Sequence, residues 1–137
     1  MEEVRDMIST KGRYALRVMI DLAENYGKGY IPLKDIAERQ EISKKYLEII
    51  VKELVKGKMI VGVGGRGGGY MLCHAPEKYV IGEILELMEG SLATVACLTK
   101  DAPPCKRIQV CKTLPLWKEY DEMIHNFFFN KKLIDLL

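Results

Sequence analysis

Leu33-Lys-Asp-Ile-Ala-Glu-Arg-Gln-Glu-Ile-Ser-Lys-Lys-Tyr-Leu-Glu-Ile-Ile-Val-Lys-Glu-Leu-Val-Lys56 is the stretch on which the fold turns. Its first third, following Pro32, predicts a short helix over 33–40 with Ile36 and Ala37 inward. Glu41-Ile-Ser43 breaks the pattern, and Ser43 is a natural N-cap for a second helix over 44–56. That helix buries Leu47, Ile50, Val51 and Leu54, while Lys44, Lys45, Glu48, Lys52 and Lys56 face out. Two short helices joined by a tight turn, the second opening with exposed lysines, follow helix-turn-helix grammar.

The flanking sequence strengthens this reading. Upstream, Ala15, Val18, Met19, Leu22, Ala23 and Tyr26 form one apolar stripe, which predicts a helix over 10–26, capped by Ser9 or Thr10 and ended by Gly27-Lys-Gly29. Downstream, Met59–Val63 and Tyr70–Cys73 read as two strands around the loop Gly64-Gly-Arg-Gly-Gly-Gly69, a glycine-tipped hairpin. A hairpin directly after a helix-turn-helix is the wing of a winged helix, and a flexible loop bearing only Arg66 can reach into a DNA minor groove. A further helix over 81–88 turns Ile81, Ile84, Leu85 and Met88 to one face. The expected fold is therefore mainly α with a small β-hairpin wing.

A last helix over 113–130 carries Pro115 in its first turn, where proline is tolerated, and repeats Trp117, Tyr120, Ile124 and Phe127 along one side, widened by Met123 and Phe128. It arrives after the small domain already has its core. A second copy of the chain is the economical cover for such a face, the alternative being packing on its own domain. The chain thus divides into a DNA-binding domain over 1–90, a cysteine loop over 91–112, and a dimerisation helix with its tail over 113–137.

The 137 residues, 48 % hydrophobic, suffice for one domain with a real core. The chain has neither an apolar run of membrane-spanning length nor a basic-then-apolar leader, so a cytoplasmic location is expected. The net charge of +2 is unevenly spread. Residues 43–70 carry six cations against two carboxylates, whereas 77–91 carry four carboxylates against one lysine, which suits a polyanion bound on one side.

Catalytic readings fail on context. Gly62-Val-Gly-Gly-Arg-Gly67 spells a dinucleotide-binding turn, but a strand rather than a helix follows it, and no Lys-Ser or Lys-Thr completes a phosphate-cradling loop. His74 and His125 are the only histidines and lie far apart in the chain, poor material for acid–base work. By contrast, Lys44, Lys45 and Tyr46 open the second helix, where such a helix meets base edges and phosphates. Lysines at that end oppose the helix dipole and so favour a partner that brings negative charge.

Three of the four cysteines, Cys97, Cys105 and Cys111, share one short basic segment that Pro103 and Pro104 keep from being helical throughout. Their C-x7-C-x5-C spacing lacks the paired C-x2-C of a zinc site, while iron–sulfur clusters tolerate wider spacing. Lys100, Lys106, Arg107 and Lys112 flank the thiols and favour thiolates. Two alternatives stand beside a cluster: unliganded cysteines, or a pair that forms a sensing disulfide.

Ser9-Thr-Lys-Gly-Arg-Tyr-Ala15, Leu33-Lys-Asp-Ile-Ala37, Ser43-Lys-Lys-Tyr-Leu-Glu48, Gly67-Gly-Gly-Tyr70 and the three cysteines before Leu116-Trp117 resemble the bacterial IscR-type regulators, the superfamily that also includes NsrR and CymR. The likeness runs over 8–137. It implies a homodimeric winged-helix transcription regulator, a repressor or dual regulator, bound to a double-stranded operator with two half-sites. It also implies an iron–sulfur cluster, [2Fe–2S] in preference to [4Fe–4S], on Cys97, Cys105 and Cys111, sensing cluster status, redox state or nitric oxide. Ser43, Lys44, Lys45 and Tyr46 would contact DNA from the helix and Arg66 from the wing, with Lys11 and Arg13 on phosphates. The alternative within the resemblance is a cluster-free thiol-redox sensor, or a CymR-like regulator of cysteine metabolism acting through a protein partner. Three departures stand out. Leu114 occupies the place of the histidine that IscR uses as fourth ligand, and Arg13 that of the acidic ligand NsrR borrows from its partner. The wing arginine of IscR-like members aligns with Gly64, so Arg66 would work from a shifted position.

Overall fold

Ser9 opens the fold. With φ −68° and ψ 165°, its hydroxyl accepts a hydrogen bond from the Gly12 amide at 3.2 Å and caps helix α1, Thr10–Glu24. The computed structural model describes residues 8–99 and 101–137; the charged start at 1–7 and Lys100 lie outside the described residues. Ala15, Val18, Met19 and Leu22 are no more than 1 % exposed, as their spacing predicts. Tyr26 is not part of that stripe and is 51 % exposed. The helix stops two residues earlier because Asn25 caps it, its side-chain amide donating to the Asp21 carbonyl at 2.8 Å.

Helix α2, Leu33–Gln40, and helix α3, Lys44–Lys56, follow with the expected boundaries. Between them Glu41 takes a left-handed conformation, φ 53°, and Ile42 drops into the core at 5 % exposure. Strands β1, Ile60–Val63, and β2, Gly69–Leu72, pair antiparallel with Ile60 opposite Leu72 and Val63 opposite Gly69. The wing is fastened to the segment before α2, since Ile31 and Tyr70 exchange backbone hydrogen bonds of 2.8 and 2.9 Å. Gly69 makes that approach possible: at φ 152° a side chain is strained, and a Cβ there would strike the Ile31 carbonyl.

A 3-10 turn at Pro76–Lys78 leads to helix α4, Ile81–Glu89, which packs on α1. The Tyr79 hydroxyl donates to the Met59 carbonyl at 2.7 Å and accepts from the amides of Cys73 and His74, tying both ends of the hairpin to this turn; burial pushes its phenol pKa up. After the cysteine loop comes helix α5, Leu114–Phe129, and a 3-10 turn at Leu133–Leu136. The tail returns to the first domain. Leu133 is fully buried, its amide donates to the Tyr79 carbonyl at 3.0 Å, and the Ile81 amide donates to the Lys131 carbonyl at 2.8 Å.

The far end of α5 is anchored by Phe128, which packs on the core, and by Phe129 over Gly82. Much of its remaining apolar side is exposed, with Leu116 at 57 %, Met123 at 59 % and Phe127 at 56 % and with Trp117 and Tyr120 exposed to a lesser degree, while Ile124 is half-buried. The chain's own domain takes part of this side, since Phe128 packs on the core and Phe129 on Gly82, and leaves the larger part exposed.

Among the described residues one charge sits inside the helical core. Asp21 is 1 % exposed, and its carboxylate takes both nitrogens of the Arg39 fork, Nε at 3.0 Å and a terminal nitrogen at 2.8 Å, plus the Gln40 amide at 3.1 Å. The hydrogen bond to Asp21 holds the Arg39 guanidinium above its ordinary pKa. Arg17 donates to both the side chain and the backbone carbonyl of Gln40, so α1 grips the last turn of α2 from two directions. The two ends of the ion pair are unequally buried, which predicts an asymmetry. Arg39→Ala strands a buried carboxylate and costs on the order of 3 kcal/mol of stability, whereas Asp21→Asn leaves a guanidinium that water can reach and costs about 1 kcal/mol. Denaturant unfolding of both variants measures the difference, and equal losses would contradict it.

Candidate nucleic-acid interface and cysteine cavity

Helix α3 offers two opposite faces. Leu47, Ile50, Val51 and Leu54 are at most 1 % exposed and bolt it to the core. Ser43 caps the start, its hydroxyl accepting from the Tyr46 amide at 3.2 Å, and Lys44 and Lys45 stand exposed in the first turn. With no acidic residue in that turn, the helix dipole and the lysines add to a positive end. Beside it, Glu48, Lys52 and Val55 face Gly62, Val63, Gly64 and Tyr70 of the hairpin across an open groove of about 470 Å³. Arg66 is exposed in the loop Gly64–Gly68, whose turns use Gly65 at φ 80° and Gly67 at φ 70°.

The other expected contact residues are arranged differently from one another. Tyr46 is half-buried, its ring meeting Tyr14 edge-on at 5.6 Å, with the Arg17 guanidinium 5.3 Å from the Tyr14 ring. The Lys11 ammonium lies 2.5 Å from the Glu53 carboxylate and joins the start of α1 to α3. Arg13 is exposed and donates to the Thr10 hydroxyl at 3.1 Å. Ile49 is a residue that the sequence pattern did not single out, although it is 53 % exposed on the outer side of α3. Its signal was an apolar residue outside the 47, 50, 51, 54 set.

Cys97, Cys105 and Cys111 open on one cavity of about 240 Å³, walled by the Pro103-Pro104 turn, Ile108, and Leu114 and Lys118 from the start of α5. Cys73 lies elsewhere, half-buried beside a shallow groove near Tyr26. The Cys111 sulfur is 3.4 Å from the Thr113 hydroxyl; that hydrogen bond, helped by the charge of Arg107, lowers its pKa towards the thiolate. Leu114 supplies an apolar wall, and the described lining residues include no carboxylate and no histidine. Among the described residues no three groups of histidine, cysteine, aspartate or glutamate converge on a single ion's position. The loop is tied to α5 at its root, where Asp121 accepts from the Thr94 amide at 2.8 Å and its hydroxyl at 3.3 Å. No helix among the described residues is long and apolar enough to cross a membrane.

Comparison with known proteins agrees with this anatomy. The transcriptional regulator IscR of Erwinia tasmaniensis is 35 % identical over 130 residues, covering 95 % of this chain and 78 % of that protein. Among solved structures, CymR of B. subtilis, the global cysteine regulator, superposes with a TM-score of 0.76 at 33 % identity, covering 99 % of this chain and 96 % of that one. IscR of T. potens superposes with a TM-score of 0.73 at 31 % identity, covering 94 % and 84 % respectively. The family model described as Rrf2, iron-dependent transcriptional regulator, matches residues 8–137, the whole span from the α1 cap through the wing and cysteine loop to the tail, and the chain belongs to that family.

Proposed function

We propose that this chain is a homodimeric DNA-binding regulator, most simply a repressor acting in the cytoplasm, that senses its signal through an iron–sulfur cluster on Cys97, Cys105 and Cys111. The observation that carries the reading is the shared cavity: three thiols, one already drawn towards the thiolate, open on one space between the winged domain and the exposed helix α5. The donor chemistry fits a thiolate-held cluster, preferably [2Fe–2S]. Such a cluster, when bound, would supply a centre sensitive to oxidation, to nitric oxide and to iron supply. The chain's own part is to hold the thiolates, to wall the space with proline and leucine, and to tie the loop to α5 through Thr94 and Asp121. Beside the three thiols the described lining offers no carboxylate or imidazole as a fourth donor, which supports one coordination position being filled from outside this set.

On the DNA side, Lys44 and Lys45 with the Ser43 cap, flanked by Tyr46, meet the major groove, and Arg66 reaches the minor groove from the wing. Arg13, exposed beside the Thr10 hydroxyl, would contact a phosphate, and Lys11 would reach one only by sharing its charge with Glu53. Two subunits joined through Leu116, Trp117, Met123 and Phe127 present two such surfaces to an operator of two half-sites. A cluster-free thiol sensor is the second reading, supported by the three free thiols on one cavity and by the likeness to CymR, the global cysteine regulator.

Three experiments test these parts. Lys45→Ala lowers operator affinity and reduces the slope of log K against log salt by about 0.9 for each phosphate that the variant no longer neutralises; an unchanged slope would remove Lys45 from the DNA-binding set. Anaerobic reconstitution with iron and sulfide gives a coloured protein whose visible absorbance disappears in Cys105→Ser, whereas a colourless, iron-free wild type would leave the thiol-sensing reading. Trp117→Asp converts dimer to monomer in sedimentation, and a surviving dimer would move the interface off α5.

A further inference from the structure

Lys45, Ile49, Lys52 and Lys56 recur at spacings of four, three and four, so they form one stripe on α3, on the pole opposite Leu47, Ile50, Val51 and Leu54. The stripe is about 16 Å long at 1.5 Å per residue. Three of its members are cations and one is aliphatic. A lone exposed aliphatic residue is ordinary on a protein surface. Here it interrupts a row of lysines on the proposed DNA-facing helix, one turn in from Lys45. That is the N-terminal half, the part of a recognition helix that meets base edges. Ile49 is 53 % exposed and belongs to neither the core nor the layer packed against it. Isoleucine is also a poorer helix former than lysine or alanine, so local propensity gives no reason for it at this site.

The major groove displays one apolar group, the C5-methyl of thymine, and an aliphatic side chain carried on a helix is its natural contact. The lysines on either side can neutralise phosphates but carry no sequence information through those contacts. We propose that Ile49 is a specificity-determining residue that reads a thymine methyl in each half-site of the operator, flanked by Lys45 and Lys52. This inference rests on the DNA-binding reading and adds a base preference to it.

The test begins with selection of duplexes from a random library by the wild-type dimer and by Ile49→Ala, a change at an exposed position to a better helix former. The wild type enriches a two-part site with a thymine at one fixed position of each half. Ile49→Ala keeps the rest of that site and loses the preference at that position. Replacing the thymine by deoxyuridine deletes only the methyl; it weakens wild-type binding about fourfold per half-site, the value of one buried methyl group, and leaves the variant's binding unchanged. A variant that still enriches the same thymine, or a wild type indifferent to deoxyuridine, overturns the role of Ile49. Failure of the wild type to enrich any sequence overturns the DNA-binding reading itself.

Discussion

The buried carboxylate of Asp21 is the constraint on which the helix-turn-helix half of the molecule depends. A charge at 1 % exposure persists in a core only when its lone pairs are filled, and here Arg39 and Gln40 fill them. Both partners stand on the last turn of α2, only a few residues before the Ser43 cap of α3. The geometry of the ion pair therefore fixes where α2 ends and, through the left-handed Glu41 and the buried Ile42, the direction in which α3 leaves. The Lys11–Glu53 pair adds a second tie between α1 and α3, and the Ile31–Tyr70 hydrogen bonds hold the wing to the same block. Helix and wing are thus carried on one rigid support, with α1 as its spine.

That rigidity bears on recognition. A surface that reads DNA from both a helix and a hairpin must hold them at a fixed spacing, because phosphate contacts set the register in which bases are read. The strands contribute little core of their own, with Ile60 and Leu72 buried and the other side of β1 exposed. The wing keeps its place through backbone pairing to Ile31 and the Tyr79 hydroxyl, leaving only the glycine loop around Arg66 without such ties.

Local pattern made the helix-turn-helix legible: α2 and α3 begin and end where capping and apolar periodicity predict, because the residues that decide them lie within a few positions of one another. Long-range polar contacts were not legible. Asp21 falls on the buried side of α1 between Val18 and Leu22, and a carboxylate in an apolar stripe signals a partner, but nothing local says that the partner is eighteen residues away. The return of Leu133 to the core was equally hidden, since one leucine after a helix has no periodicity. In the cysteine segment, spacing and prolines showed that the thiols share a loop. The cavity became visible only with Leu114 and Lys118, because its wall is tertiary.

Helix α5 joins the parts that sequence alone left separate. Its first turns wall the cysteine cavity, its middle accepts the loop root through Asp121, and its end is fastened to the core by Phe128 and the Leu133 tail. The exposed Trp117 lies within the stretch that walls the cavity, and Met123 and Phe127 lie between Asp121 and Phe128. If the three thiols hold a ligand as proposed, a change there acts on a helix that is fixed at its far end and exposes much of its apolar face. The softest response is a shift of that face, because moving the fixed end would disturb Leu133 and Tyr79 together. In a dimer built on this face, such a shift changes the spacing of the two α3 helices without deforming either winged domain. In the proposed dimer the Asp21 clamp would keep each winged domain rigid, which would leave the relation between the two domains as the variable that a signal at the cysteines alters.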